Sequence, residues 1–262
     1  MITVNELFSG IGAFRKALER LNIPHEIVGI SEIDKYAIMA YEVIYGKTRN
    51  YGDISKVEKL DYADLWTYGF PCQDISAAGQ QKGIIKGETR SGLLYEVERL
   101  LINAVNDGTA PKYLIMENVK ALCSCKFKDQ FKEWIKTLDN LGYETYYQLL
   151  NAADYGIPQK RERVFAVSIR KDIDNGYGFS FPEKQPLAHY MDYYLEEKPD
   201  EKYYLTDEQV AGFELQTKHA IENGLGYRFA PIDREKRVIT TLTTREGSRS
   251  TDVFIKEECD EL

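Results

Sequence analysis

Phe8-Ser9-Gly10-Ile11-Gly12 closes the apolar run Thr3–Phe8 and opens the stretch Ala13–Leu21, where apolar residues recur near the 3.6-residue helical period. The order is strand, glycine turn, helix. Glycines at such a turn let the backbone bend sharply and approach a ligand, and the helix start presents unpaired N–H groups. Taken alone, the turn is as compatible with a plain tight turn as with a ligand cradle. Outward from it the alternation continues. Candidate strands are Thr3–Phe8, Glu26–Ile33, Asp64–Tyr68, Tyr113–Glu117, Tyr143–Asn151 and Arg163–Ile169, and candidate helices are Ala13–Leu21, Tyr36–Tyr45, Leu93–Asn106 and Lys128–Leu141. Strands and amphipathic helices alternating at this spacing predict an α/β domain with a doubly wound, mostly parallel sheet. Ligands of such sheets bind beyond the carboxyl ends of the strands.

The pattern changes after about Pro182. Residues 186–205 are rich in Tyr, Glu and Asp, Thr206–Gly224 reads as a helix capped by Thr206 with Gln209 three residues on, and 227–256 alternate in the β manner. The expected division is therefore 1–182 as one domain and 183–262 as a partial second region.

Composition sets limits on what this chain can be. With 43% hydrophobic and 12% aromatic residues, 262 residues can bury a sizeable core and do not have a disordered composition. No apolar run reaches the length of a membrane span, and Met1-Ile2-Thr3-Val4 lacks the basic start of a signal peptide, so a cytoplasmic protein is expected. Four cysteines at irregular spacing (Cys72, Cys123, Cys125, Cys259) and three scattered histidines predict neither a disulfide framework nor a metal site. The net charge of −8 weighs against a nucleic-acid partner, but net charge averages over the surface, and residues 158–171 are locally basic.

The chemistry-bearing residues fall at the predicted strand ends. Glu32, in Ser31-Glu32-Ile33-Asp34, stands where an acidic side chain can accept hydrogen bonds from ribose hydroxyls. Asp53-Ile54 can hold an adenine amino group, with helix capping as the plain alternative for Asp53. Cys72, in Gly69-Phe70-Pro71-Cys72-Gln73, is a candidate nucleophile. The competing reading is a buried structural thiol. The glycines that follow it (Gly79, Gly83, Gly87, Gly92) predict a mobile loop over an accessible site. Glu117 ends the apolar run Tyr113–Met116. Burial there would raise its carboxyl pKa and let it donate a proton to a ring nitrogen, whereas an ion-paired or capping Glu is the plain reading. Arg161 and Arg163 offer forked donors for a phosphate or a pyrimidine carbonyl, or form a solvated face.

Together the chain resembles the DNA (cytosine-5)-methyltransferases of bacterial and phage restriction–modification systems. The resemblance spans residues 1 to about 182. It is carried by Phe8-x-Gly10-x-Gly12, Glu32, Asp53-Ile54, Gly69-Phe70-Pro71-Cys72-Gln73, Glu117-Asn118-Val119 and the long, specific Asp154-Tyr155-Gly156-Ile157-Pro158-Gln159-Lys160-Arg161-Glu162-Arg163. It implies a Rossmann-like fold, S-adenosylmethionine as methyl donor and duplex DNA as partner. It also implies that Cys72 adds to carbon 6 of a flipped-out cytosine while Glu117 serves N3, and that Arg163 lies near the cytosine carbonyl oxygen. Phe8, Gly10, Gly12, Glu32, Asp53, Ile54 and Leu93 would contact the cofactor. Ile33 stands where the family often has an aromatic residue. A tRNA cytosine-5 methyltransferase is a lesser expectation, because that group has Pro-Pro-Cys where this chain has Phe70-Pro71-Cys72. So is a non-catalytic homologue, against which Cys72 and Glu117 speak. The family's full target-recognition domain and final Gly-Asn-Ser helix are not visible, so a split or truncated enzyme is expected, completed by a second polypeptide.

Overall fold

The computed structural model describes residues 1–71, 84, 90–173, 178–226, 228–242, 250 and 252–256. Strand β1 (Ile2–Leu7) leads through helix α1 (Ala13–Arg20) to β2 (His25–Ser31), and α2 (Lys35–Tyr45) carries the chain back toward β3 (Leu65–Tyr68). Helix α3 (Leu94–Asn106) precedes β4 (Tyr113–Val119), α4 (Lys128–Asn140) precedes β5 (Tyr143–Asn151), and a two-residue strand β6 (Gln159–Lys160) comes before β7 (Glu162–Arg170). The six-stranded sheet has the order β2-β1-β3-β4-β7-β5. The pairs β1/β2, β1/β3 and β3/β4 are parallel, and β4/β7 is antiparallel. The sheet is thus the mostly parallel one that the alternation predicts, with β7 running against β4.

Strand order reverses its direction of growth at β1: β2 lies on one side and β3 on the other. Helices crossing to opposite faces leave a crevice at that switch point, where ligands of doubly wound sheets bind. The glycine turn after β1 and the Gly69-Phe70-Pro71 segment after β3 both start there.

Burial explains why the sheet holds. All four residues of β3, Leu65-Trp66-Thr67-Tyr68, are buried, as expected of a central parallel strand covered on both faces. Helix α3 contributes Leu94, Val97, Leu100, Leu101 and Ala104, a helical stripe that joins one core cluster with Leu114 and Met116 of β4. Helix α4 adds Phe131, Trp134 and Leu138. Each fully buried Leu in this cluster contributes about 1.5–3 kcal/mol relative to exposure. Two buried polar groups are paired across the core: Trp134 Nε1 donates to the Tyr68 hydroxyl at 3.2 Å, and Tyr143 donates to the Pro111 carbonyl at 2.6 Å.

The chain divides into two compact units, Met1–Leu150 with Arg163–Phe181, and Asn151–Glu162 with Pro182–Leu262. The second contains helix α5 (Asp207–Glu222) and a two-residue strand β8 (Ile239–Thr240), which pairs in parallel with β6. Thr206 caps α5 in a full capping box with Gln209, as its sequence predicts. Phe213, Phe229 and Phe254 form a ring cluster with centroids 5.4–5.5 Å apart. Of the alternation read in 227–256, the described residues show β8 and a single bridge between Ile232 and Ile255. Among the described residues, no helix is long and apolar enough to cross a membrane.

Candidate active site

The turn after β1 is built from left-handed backbone. Phe8, Gly10 and Gly12 have φ of 56°, 54° and 84°. A non-glycine residue at positive φ is uncommon, and the local cost at Phe8 is carried by its packing against the core. Gly12 is required twice over: its φ disfavours a side chain, and a Cβ would stand 2.5 Å from Tyr45 Cε2 and 2.7 Å from Tyr41 Cε2. Among the described residues, and its chain neighbours apart, no atom lies within 4 Å of where a Gly10 Cβ would stand, which leaves room beside the backbone for a ligand.

Two acidic residues shape this turn. Glu32, just past β2, accepts the Gly10 amide on Oε2 at 2.9 Å and the Ile33 and Asp34 amides on Oε1 at 2.8 Å each. A carboxylate offers about four lone-pair positions, so these bonds leave acceptor capacity for a hydroxyl. Asn50 fixes Glu32 from behind, donating to its carbonyl at 3.0 Å and accepting its amide at 3.2 Å. Beneath the turn lies Glu6 of β1, 1% exposed, which takes the Tyr41 hydroxyl at 2.6 Å and the Arg15 amide at 3.0 Å. Burial pushes the Glu6 carboxyl above its usual range, and the bonds from Tyr41 and Arg15 oppose the rise. Tyr45 completes the brace by donating to the Gly12 carbonyl at 2.8 Å. A charged residue inside a buried run was the only sequence signal for Glu6. Nothing local marked Asn50, Tyr41 or Tyr45.

The remaining residues expected around a cofactor are placed as follows. Ile33 is exposed beside Glu32. Asp53 does cap a turn, its Oδ1 accepting the Ser55 amide at 3.0 Å and hydroxyl at 2.7 Å. Ile54 is buried in the core cluster, and Leu93 packs against that cluster while half-buried. Arg99 of α3 steadies the turn that Asp53 opens, donating to the carbonyls of Ile54 at 3.2 Å and Val57 at 2.7 Å.

At the ends of β3 and β4 a second group assembles. The parallel register sets Tyr68 beside Met116, so Gly69 and Glu117 follow side by side, and a Cβ on Gly69 would lie 3.5 Å from Glu117 Oε2. The Glu117 side chain is not sealed in the core: it is 28% exposed and meets Arg163 Nε at 3.0 Å. The ion-paired reading of Glu117 therefore holds in this structure. Arg163 reaches it because β4 and β7 run antiparallel, with Val119 opposite Arg163 and Glu117 opposite Phe165.

Next to Glu117, Asn118 is buried and donates from Nδ2 to the Phe70 carbonyl at 3.1 Å. Ser91, fully buried, donates to the Pro71 carbonyl at 2.7 Å. Cys72 itself and the glycine-rich stretch after it, residues 73–83 and 85–89, lie outside the described residues. Arg161 belongs to the second unit, where its amide donates to Asn151 Oδ1 at 3.2 Å and its carbonyl accepts the Ala152 amide at 3.0 Å. Among the described residues no group of three His, Cys, Asp or Glu side chains could hold a metal ion.

A glycine turn at the switch point, an acid at the end of the next strand and the Glu117–Arg163 pair across β4 and β7 lie on a doubly wound sheet. The model of the C-5 cytosine-specific DNA methylase family matches residues 2–259, and the chain belongs to that family. It is 36% identical to the type II methyltransferase M2.ScrFI of Lactococcus lactis subsp. cremoris, over 80% of this chain and 72% of that protein. It is 31% identical to the type II methyltransferase M.NlaX of Neisseria lactamica, over 98% of this chain and 80% of that one. In fold it is similar to the S. pombe Dnmt2 methyltransferase, with a TM-score of 0.74 at 21% identity, covering 100% of this chain and 78% of that chain.

Proposed function

We propose that this enzyme of DNA cytosine methylation moves the methyl group of S-adenosylmethionine to carbon 5 of a cytosine flipped out of duplex DNA, with Cys72 as covalent nucleophile. The observation that carries the reading is the Glu117–Arg163 pair beside Gly69, two peptide units before the bond into residue 72. The glycine turn supports the cofactor assignment, since open space at Gly10 and the acceptor capacity of Glu32 suit a nucleoside with free ribose hydroxyls. Phe8, Gly10, Gly12, Glu32, Ile33, Asp53, Ile54 and Leu93 would form its surroundings, and the bound group supplies an electrophilic methyl on a sulfonium.

Carbon 5 of an aromatic cytosine is a poor nucleophile. The Cys72 thiolate adds to carbon 6, pushing the ring electrons toward N3, where the Glu117 carboxyl supplies a proton or hydrogen bond. With the cofactor bound, the resulting enamine would take the methyl group at carbon 5 as the methyl–sulfur bond breaks, leaving S-adenosylhomocysteine. Loss of the carbon-5 proton to water, with the N3 proton returning to Glu117, then expels the thiolate and restores the aromatic ring. Arg163 holds the Glu117 carboxyl and donates to the pyrimidine carbonyl oxygen, while Arg161 is a donor for the nucleic acid. The thiol must approach the face of the ring, which requires the base to leave the stack.

Transfer of labelled methyl groups to duplex DNA and to tRNA, each as sole acceptor, tests the substrate class. Incorporation into DNA is expected, and labelling of tRNA alone would overturn it. Cys72→Ser is expected to abolish transfer while leaving S-adenosylmethionine affinity intact, because a hydroxyl is far less ionised than a thiol at neutral pH. More than a few per cent residual activity would remove Cys72 from its role.

A further inference from the structure

We infer that Ser91 is a positioning residue for the nucleophile, fixing through the Pro71 carbonyl the direction from which the chain enters residue 72. The inference rests on the assignment of Cys72 above. A peptide unit is planar, so the backbone has two soft dihedrals per residue, and at proline the ring holds one of them near −65°. The direction of the Pro71 carbonyl therefore reports the one remaining freedom at that residue. The buried Ser91 hydroxyl takes it up with a hydrogen bond of 2.7 Å.

One residue earlier, Asn118 does the same for the Phe70 carbonyl at 3.1 Å, and the Phe70 ring is itself buried in the core cluster. Two successive carbonyls ahead of Cys72 are thus held by side chains from two separate elements. Asn118 comes from the end of β4, next to Glu117. Ser91 comes from the 3-10 turn Arg90–Leu93 that leads into α3. The same helix steadies the Asp53 turn through Arg99, so the approach to the nucleophile and one wall of the expected cofactor site are referred to a single element. Geometry at a reacting atom is sensitive to small displacements, and loss of a fixed entry angle acts on the rate of bond formation before it acts on binding.

The test compares Ser91→Thr with Ser91→Val, which match in shape and differ in the hydroxyl, so packing costs cancel in their ratio. Each variant and the wild-type protein is mixed with S-adenosylmethionine and a duplex carrying 5-fluorocytosine, where fluorine blocks the final elimination and traps the covalent complex. The Val variant is expected to trap about tenfold or more slowly than the Thr variant, the size of one lost hydrogen bond expressed in a rate. Affinity for S-adenosylmethionine, measured by calorimetry, should differ by no more than about twofold between them. Equal trapping rates overturn the positioning role. So does a loss of cofactor affinity that accounts for the slower rate, since that is what a merely structural serine would give. If the wild-type protein forms no trapped complex, the Cys72 assignment fails and the Ser91 inference with it. If it traps and the Thr and Val variants trap alike, only the Ser91 inference fails.

Discussion

Helices α3 and α5 are of similar length and stand on different physics. Five residues of α3 are buried, at the spacing of a core-facing stripe, whereas Ala220 is the buried residue of α5. Helix α5 holds its shape with local devices instead: the Thr206–Gln209 capping box, Asp207 and Glu208 in its first turn, and His219 in its last. The contrast extends to the units that contain them. The first unit holds Glu32, Glu117 and Arg163 at its strand ends with specific hydrogen bonds and an ion pair. The second shows Tyr193, Tyr194 and Tyr203 to solvent. A region fixed by burial can hold reacting groups to a fraction of an ångström, and one fixed by caps and edges is freer to change its sequence.

Substitutions sort along this contrast. Leu101→Ala removes a fully buried side chain of α3 and is expected to cost about 2–5 kcal/mol of stability, read by chemical denaturation. A loss under about 1 kcal/mol would mean that α3 is not anchored as its burial indicates. Asp64, just before the central strand β3, has Lys112 at 2.8 Å, the Thr3 amide at 3.0 Å and hydroxyl at 2.8 Å, and the Tyr62 hydroxyl at 3.0 Å. The Lys112 bond, then those from Thr3, hold its carboxyl well below the ordinary 3.8. A depressed acid contributes stability above its unfolded value and loses it as pH falls below that value. Asp64→Asn should therefore destabilise by about 1.5–3 kcal/mol near neutrality, with a gap from wild type that narrows once pH drops below 3.8. A gap of constant size across that range would contradict the assignment.

Glu32→Ala is expected to weaken S-adenosylmethionine binding by about 1–3 kcal/mol, because it removes both a candidate ligand contact and the carboxylate that orders the Gly10 amide. Unchanged affinity by calorimetry would detach Glu32 from the cofactor. The smallest effects belong to α5. Thr206→Ala should cost about 1 kcal/mol through the lost cap, and Leu215→Ala, at an exposed position, less than about 0.5 kcal/mol. If Leu215→Ala proved as costly as Leu101→Ala, α5 would be a core helix and the contrast would collapse.

Local pattern carried much of this architecture. The six strands of the main sheet and the four helices of the first unit fall within about two residues of where periodicity puts them, and α5 begins where Thr206 and Gln209 predict. Pairing across long separations did not show in the sequence. Nothing near Arg163 says that its strand runs antiparallel beside β4, which is what delivers its guanidinium to Glu117. Nor does Gln159-Lys160 announce a partner at Ile239-Thr240, or a place with the second unit. The motif residues were legible because their types are chemically restrictive. Ser91, Tyr41 and Asn50 were not, because a hydroxyl or an amide becomes informative only once its neighbour is known.

The position of β7 bears on how this protein is made. It follows β4 and β5 in the chain and yet lies between them in the sheet. During synthesis both earlier strands wait, with unpaired backbone edges, until residues 162–170 have left the ribosome. Exposed edges recruit other strands, and long-range pairings form slowly. The nascent chain is therefore most prone to aggregate late in the translation of this domain, and a ribosome stalled just short of β7 holds β4 with one open edge and β5 without the strand that joins it to the sheet.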